Sequence, residues 1–318
     1  MNNSLELQKI LFTGLEDGGK TSILLLLDKK FSLLPTVKPT IKVKRTFYTN
    51  SLLGLHITRW DLGGQKIYRK IYINDKSKYF TDTQTIFYII DIQSQNKFEE
   101  ALIYLKDIIN IVSENHLENF QLLILLHKFD PDIKNRSDII QNQRFLESQI
   151  TKIIGKIKFG IYKTSIYDGN TLLKAFSDGV FYATHKFKMF EALLKDYMGK
   201  TFNSVTLLLD QNCFIIASRS TNEDYQRICE EIAPRLTRAL EKLEEWAINT
   251  VDIVTTIEFP EKHSDFQKEG IIFLRKLDIA KTRFYLVALC LNKKVKIRAY
   301  EYLPLLADNL KNLLESFE

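Results

Sequence analysis

The chain has 318 residues, 45% of them hydrophobic and 26% charged, which is long enough for two ordinary globular domains that each bury a core. Its longest unbroken apolar runs, such as Ile23 to Leu27 and Leu122 to Leu126, fall far short of the roughly 20 residues of a membrane span. The net charge of +6 falls on residues 1–185, where 25 basic and 19 acidic side chains leave an excess of 6, and the basic residues look scattered rather than massed in a run, so direct contact with nucleic acid is not expected.

The chain opens Met1, Asn2, Asn3, Ser4, with no signal-peptide core and with Asn2 where myristoylation needs a glycine. Leu7 to Thr13 is then a short apolar run ending at a glycine. Ile41 to Thr49 alternates, with Ile41, Val43 and Phe47 on one face, and Leu55 to Trp60 repeats the alternation. Three buried-type strands follow at Thr85 to Asp91, Phe120 to Leu126 and Lys158 to Lys163, separated by helical spacing at Phe98 to Val112 and Ser137 to Ile154. This alternation predicts an α/β domain with a mostly parallel six-stranded sheet, helices on both faces and ligands at the carboxyl ends of the strands.

After a helix containing Leu172 to Phe181, a boundary falls near residues 183–187, giving domains at 1–184 and 188–318. The second domain reads as a helix at Phe190 to Met198, a hairpin of Val205 to Asp210 and Phe214 to Ser218, and a long helix at Asn222 to Ala247. That helix places Ile228, Ile232, Leu236, Leu240 and Leu243 on one face, and Ser220 with Glu223 suits a capping box. Strands at Ile253 to Phe259, Ile271 to Leu277 and Phe284 to Leu291 precede a last helix at Leu303 to Leu314. The order predicts a five-stranded antiparallel sheet with helices packed on it. Cys213, Cys229 and Cys290 lie singly, without metal or disulfide spacing, and read as core residues in a reducing compartment. Ser316, Phe317 and Glu318 offer no prenylation site, so membrane recruitment is expected only through partners and the chain is expected in the cytoplasm.

Chemistry enters at Gly14, Leu15, Glu16, Asp17, Gly18, Gly19, Lys20 and Thr21, which fit G-x-x-x-x-G-K-[ST] directly after the first strand. Such a loop turns successive backbone N–H groups onto phosphate oxygens, Lys20 adds a point charge, and the Thr21 hydroxyl suits Mg²⁺. Thr40 precedes Asp61 by twenty-one residues, and Trp60, Asp61, Leu62, Gly63, Gly64 and Gln65 follow one another. A strand-end acid can hold the Mg²⁺ shell, through water for Asp61, while a loop threonine closes on the metal only when a third phosphate is present. Gly63 and Gly64 let the backbone approach that phosphate, and Gln65 is placed to orient an attacking water. His127, Lys128, Phe129 and Asp130 follow the fifth strand, and Thr164, Ser165 and Ile166 the sixth. A carboxylate at Asp130 accepts the two N–H groups that guanine offers and adenine lacks, and backbone N–H groups near Ser165 and Ile166 suit the guanine oxygen.

These four elements in order resemble the Ras-like small GTPases, and the details are similar to the Rag/Gtr branch: His127 replaces the usual asparagine of N-K-x-D, and Thr164 to Asp168 followed by Ala175, Phe176 and Ser177 is similar to its guanine loop and last helix. The order of the second half resembles the roadblock (longin-like) domain. The resemblance implies a GTP/GDP cycle with Mg²⁺, slow intrinsic hydrolysis aided by activating and exchange factors, a homodimer or heterodimer with a related GTPase, and recruitment by roadblock-domain proteins. Two departures stand out: Glu16 adds a carboxylate beside the phosphates, and no arginine can be assigned as a finger in cis. The alternatives are an Arf-like switch with an unrelated second domain and a scaffold that binds nucleotide without cycling.

Overall fold

The computed structural model describes residues 7–50, 55–114, 120–155, 157–181, 185–258, 269–279 and 282–315. Asn2, Phe259, residues 182–184 at the expected boundary and residues 316–318 lie outside that set. The chain divides into two compact units, Met1–Ala183 and Thr184–Glu318.

In the first unit the elements run β1 (Leu7–Gly14), α1 (Lys20–Leu27), β2 (Val43–Asn50), β3 (Leu55–Leu62), α2 (Lys66–Asn74), α3 (Lys76–Phe80), β4 (Thr83–Asp91), α4 (Phe98–Glu114), β5 (Gln121–His127), α5 (Ser137–Ile154), β6 (Phe159–Thr164) and α6 (Gly169–Phe181). The sheet order is β2-β3-β1-β4-β5-β6, with β2 antiparallel to β3 and the other pairs parallel. Ile86 to Ile90 and Leu122 to Leu126 are buried throughout, because helices cover both faces of a parallel sheet and leave no solvent side to alternate toward. Phe12, Phe87 and Phe176 stack on one another, with ring centroids 4.7 and 5.9 Å apart for Phe87 with its two neighbours. Each such buried side chain contributes about 1.5–3 kcal/mol. This layered core fixes the carboxyl ends of β1, β3, β4, β5 and β6, from which the candidate loops emerge. The expected strand at Ile41 to Thr49 is corrected at its start, which leaves Ile41 outside it. β2 starts at Val43, and Ile41 and Phe47 are 73% and 72% exposed, since β2 is an edge strand beyond the covering layers.

The second unit runs α7 (His185–Thr201), β7 (Val205–Asp210), β8 (Ile215–Ser220), α8 (Glu223–Glu245), β9 (Asp252–Glu258), β10 (Glu269–Ile279), β11 (Thr282–Cys290), α9 (Lys293–Glu301) and α10 (Leu303–Glu315). Its antiparallel sheet has the order β8-β7-β11-β10-β9. Asp210 closes the β7–β8 turn by accepting from the N–H groups of Asn212 and Phe214 at 2.8 and 2.9 Å, an Asx-type device. α9 was not expected from the sequence. The cap of α8 is also corrected: Asn222 Oδ1 accepts from the N–H groups of Asp224 and Tyr225 at 2.8 and 3.2 Å, and Ser220 Oγ instead donates to the Asn222 carbonyl at 2.5 Å. The three cysteines are buried thiols, not joined in disulfides. Among the described residues no helix is long and apolar enough to cross a membrane.

Candidate functional site

The loop after β1 is held by close backbone approaches that only glycine permits. Gly14 has φ 141°, and a Cβ there would lie 2.2 Å from the Ile89 carbonyl oxygen; Gly19 has φ 89°, and a Cβ would lie 2.6 Å from the His127 ring. Asp17 also takes a positive φ of 62°. Lys20 is buried at the head of α1, and its ammonium donates to the carbonyls of Leu15 at 2.6 Å and Gly14 at 3.3 Å. Burial pushes its pKa down to about 8, against the pull of Asp61 and Asp17. A buried cation stabilised mainly by neutral carbonyls is a strong receptor for an anion.

One residue further on, Thr21 Oγ1 donates to Asp61 Oδ2 at 2.7 Å, Thr40 Oγ1 donates to the same oxygen at 2.9 Å, and the two hydroxyls lie 2.9 Å apart. The other carboxylate oxygen of Asp61 is buried with no hydrogen-bond partner, and burial raises the Asp61 pKa against the Thr21 hydrogen bond and the Lys20 charge. Three convergent oxygens and an orphaned fourth fit a hard divalent cation such as Mg²⁺, which takes oxygen ligands and keeps waters and phosphates in its shell. Among the described residues no group of three or more His, Cys, Asp or Glu could hold a metal, so a cation here depends on hydroxyl and phosphate oxygens.

Gly64 presses directly on the loop, where a Cβ would meet the backbone of Leu15 and Glu16 at 2.3 Å. Gln65 is half-buried at the N-terminus of α2. It lines a cavity of about 460 Å³ together with Glu16, Asp17, Gly19, Lys20, Thr21, Thr40, Gly64 and Lys128, a size that suits a small-molecule ligand. Glu16 is exposed at this cavity, and exposed Asp17 lies 3.4 Å from Lys97 Nζ. Arg69, absent from the sequence reading, is buried on the inner face of α2. Its Nε donates to the Gly64 carbonyl at 2.8 Å, its Nη2 pairs with Glu100 of α4, and its guanidinium lies 5.2 Å from the Tyr104 ring centre. The Arg69 hydrogen bond holds the Glu100 carboxyl below its usual pKa. Tyr104 in turn shares a 3.0 Å hydrogen bond with Thr13 of β1.

At the ends of β5 and β6 the remaining candidates come together. His127 is buried, shares a 3.0 Å hydrogen bond through Nδ1 with Thr164, and packs on Gly19. Burial first, and the charge of Lys128 second, push its pKa down to about 4, so the imidazole is neutral. Lys128 takes a φ of 61° and its ammonium donates to Asp91 Oδ2 at 2.7 Å. Asp130 accepts from Ser165 Oγ at 2.5 Å and from Gln93 Nε2 at 3.1 Å, and Gln93 Nε2 also donates to the Lys128 carbonyl at 2.7 Å. Of the backbone N–H groups expected to suit the guanine oxygen near Ser165 and Ile166, that of Ser165 has a partner within the protein. It donates to Thr171 Oγ1 at 3.2 Å, because the start of α6 folds back over the loop, and the Ser165 hydroxyl reaches Asp130. Asp91 and Gln93, at the end of β4, are the other residues the sequence reading missed; their only signal was a turn-forming cluster at a strand end.

Residues 9–236, more than half of the chain, match the Gtr1/RagA G protein conserved region. The chain is also similar to the solved structure of the Arl6 BBS3 small GTPase from Trypanosoma brucei with bound nucleotide analogue GppNp. The identity is 15%, the match covers 54% of this chain and 94% of that one, and the TM-score is 0.42.

Proposed function

The chain belongs to the Gtr1/RagA G protein family, a GTPase switch family, and from that premise we propose that it cycles between GTP and GDP with Mg²⁺, hydrolyses GTP slowly by itself, and works as a dimer through its second unit. The observation that carries the reading is the closure of Thr40 onto Asp61 and Thr21. A loop hydroxyl brought to a strand-end carboxylate is the arrangement a third phosphate would stabilise. Lys20 binds the terminal phosphates, and Thr21, Thr40 and, through water, Asp61 hold the cation, which supplies neutralisation of phosphate charge. Gln65 orients the attacking water, and Asp130, steadied by Ser165, accepts from guanine. Roadblock-domain proteins, activating factors and exchange factors are the partners this reading calls for.

Slow turnover follows from what the arginines do. Arg69 is turned toward Gly64, Glu100 and Tyr104, and Arg59 pairs with Asp28, so neither is directed at a developing phosphate charge. An arginine supplied in trans is worth about 10³–10⁵ in rate. The exposed position of Glu16 weakens its repulsion of phosphate through solvent screening. The test is nucleotide binding and single-turnover hydrolysis in the full chain, with and without Mg²⁺. Gln65→Leu should retain nucleotide affinity and lose hydrolysis, whereas Lys20→Ala should lose affinity itself. Equal hydrolysis in wild type and Gln65→Leu would remove Gln65 from the mechanism, and no hydrolysis in the wild type would leave a nucleotide-bound scaffold.

A further inference from the structure

α9 carries Lys293, Lys294, Lys296 and Arg298 against one acid, Glu301 at its last position. Ala299 is buried on the inner side of the helix, and its carbonyl accepts from the Tyr197 hydroxyl of α7 at 2.7 Å, so the opposite side, with Lys293, Lys294, Ile297 and Arg298, turns to solvent. The end of α7 joins this surface. Arg298 Nε donates to the Lys200 carbonyl at 2.5 Å, and its guanidinium lies 4.7 Å from the Phe202 ring centre. Phe202 closes α7 by donating its N–H to the Met198 carbonyl at 2.8 Å, at a φ of 61°. Glycine is the residue that takes this backbone without a Cβ clash, yet an aromatic ring stands here, 65% exposed, and Ile297 next to Arg298 is 60% exposed. Asp196 of α7 is taken up by Lys200 at 2.7 Å, whereas Lys195, Lys293 and Lys294 are exposed and in no ion pair among the described residues.

A strained backbone that holds an aromatic ring in water calls for a function, and lysines without an ion pair around it select an anionic partner. The face is built of helices, whose backbone groups bond within the helix, so it lacks the open ladder that an extended peptide would pair with. Clustered lysines and arginines among exposed apolar side chains instead match the phosphates and the acyl boundary of an anionic bilayer, where each cation near the surface strengthens binding about fivefold. We infer that this face of the second unit lies on an anionic membrane surface, with Lys293, Lys294 and Arg298 at lipid phosphates and Phe202 and Ile297 at the boundary between headgroups and acyl chains. Such attachment is shallow and reversible, and it adds to recruitment by a partner rather than replacing it.

The test is co-sedimentation of the full chain, in saturating GDP, with vesicles of phosphatidylcholine alone or of phosphatidylcholine with phosphatidylserine, and with labelled polyglutamate as a competing anion. The chain should be retained on the phosphatidylserine vesicles only, and salt should release it. Lys293→Glu with Lys294→Glu should cost more than about twentyfold in vesicle affinity, with nucleotide affinity as in the wild type. Phe202→Gly suits the backbone at a φ of 61° and should also lower retention while cooperative unfolding is kept. No retention of the wild-type chain, equal retention on the two kinds of vesicle, or retention untouched by the charge reversal would overturn the inference, the last by assigning it to the basic first unit. Undiminished retention of Phe202→Gly would overturn it as well, since the ring is what separates this face from charge alone. So would polyglutamate that binds the wild-type chain, weakens with the charge reversal and is not displaced by phosphatidylserine vesicles, which assigns the face to an acidic protein.

Discussion

Burial keeps His127 neutral down to about pH 4, against 6.5 in an open chain. Between those values the unfolded chain takes up a proton that the folded chain refuses, so stability that is intact above pH 6.5 is lost as the pH falls toward 4. The loss from this one group is about 3 kcal/mol. His127→Asn should flatten that part of a curve of denaturation midpoint against pH, measured with saturating GDP; an unchanged slope would place the proton elsewhere. If Asp130 reads the base as proposed, Asp130→Asn should shift preference from GTP toward xanthosine triphosphate, because an amide presents a donor where the carboxylate only accepts. Gln93→Ala removes one of the two groups that orient Asp130 and should speed GDP release while leaving the order of base preference intact; release at the wild-type rate would show the contact to be idle. The loop from Gly14 to Thr21 was legible because its chemistry is written in consecutive residues. Gln93 and Asp91 were not, since their partners lie 35 and 37 positions away and a loop glutamine leaves no pattern that announces its contact.

α2 shows how a helix can be positioned from below. Arg69 ties its first turn to Gly64 and to α4 at once, which needs the fixed fork of a guanidinium. Arg69→Ala should lower single-turnover hydrolysis about tenfold with nucleotide affinity little changed, and Arg69→Lys should restore only part of the rate. Equal losses in affinity and rate would make Arg69 a binding residue or a folding residue. In the second unit, Asn222→Ala should cost about 1 kcal/mol through the cap of α8, measured by denaturant unfolding, and Ser220→Ala should cost less. The apolar period of α8 was legible and its orientation was not. Tyr225, Cys229, Ala233, Thr237 and Leu240 face the core, whereas Ile228, Ile232, Leu236 and Leu243 are half-buried. Small side chains, Cys229, Ala233 and Thr237, fill the middle of the inward face of α8 between Tyr225 and Leu240, and Ile228, Ile232, Leu236 and Leu243 fall to the flank. A pattern built on the largest apolar residues is therefore rotated from the true inward face.

For the whole molecule the open question is what meets the free edge of the second sheet. Among the described residues β9 pairs with β10 alone, and it brings exposed apolar surface with it. Trp246 is 65%, Ile248 47%, Val251 45% and Val254 43% exposed, between the end of α8 and the body of β9. A strand edge with apolar side chains and no neighbouring strand is an invitation to pair, and pairing with the same strand of a second chain closes the edge by symmetry. The half-buried flank of α8 offers additional apolar area of the kind a stable dimer interface needs. A lysine placed on such an edge is the device by which proteins keep strands apart, so Val254→Lys in the full chain should convert a dimer to a monomer at matched concentration, with guanine-nucleotide affinity unchanged. Sedimentation or light scattering reads the mass. Trp246 gives a second signal, because its emission should move to the blue when the wild-type chain is concentrated and stay red in the variant. A Val254→Lys chain that keeps the wild-type mass would move the interface away from β9, and a wild-type chain that stays monomeric until a related chain is added would make the partnership heteromeric.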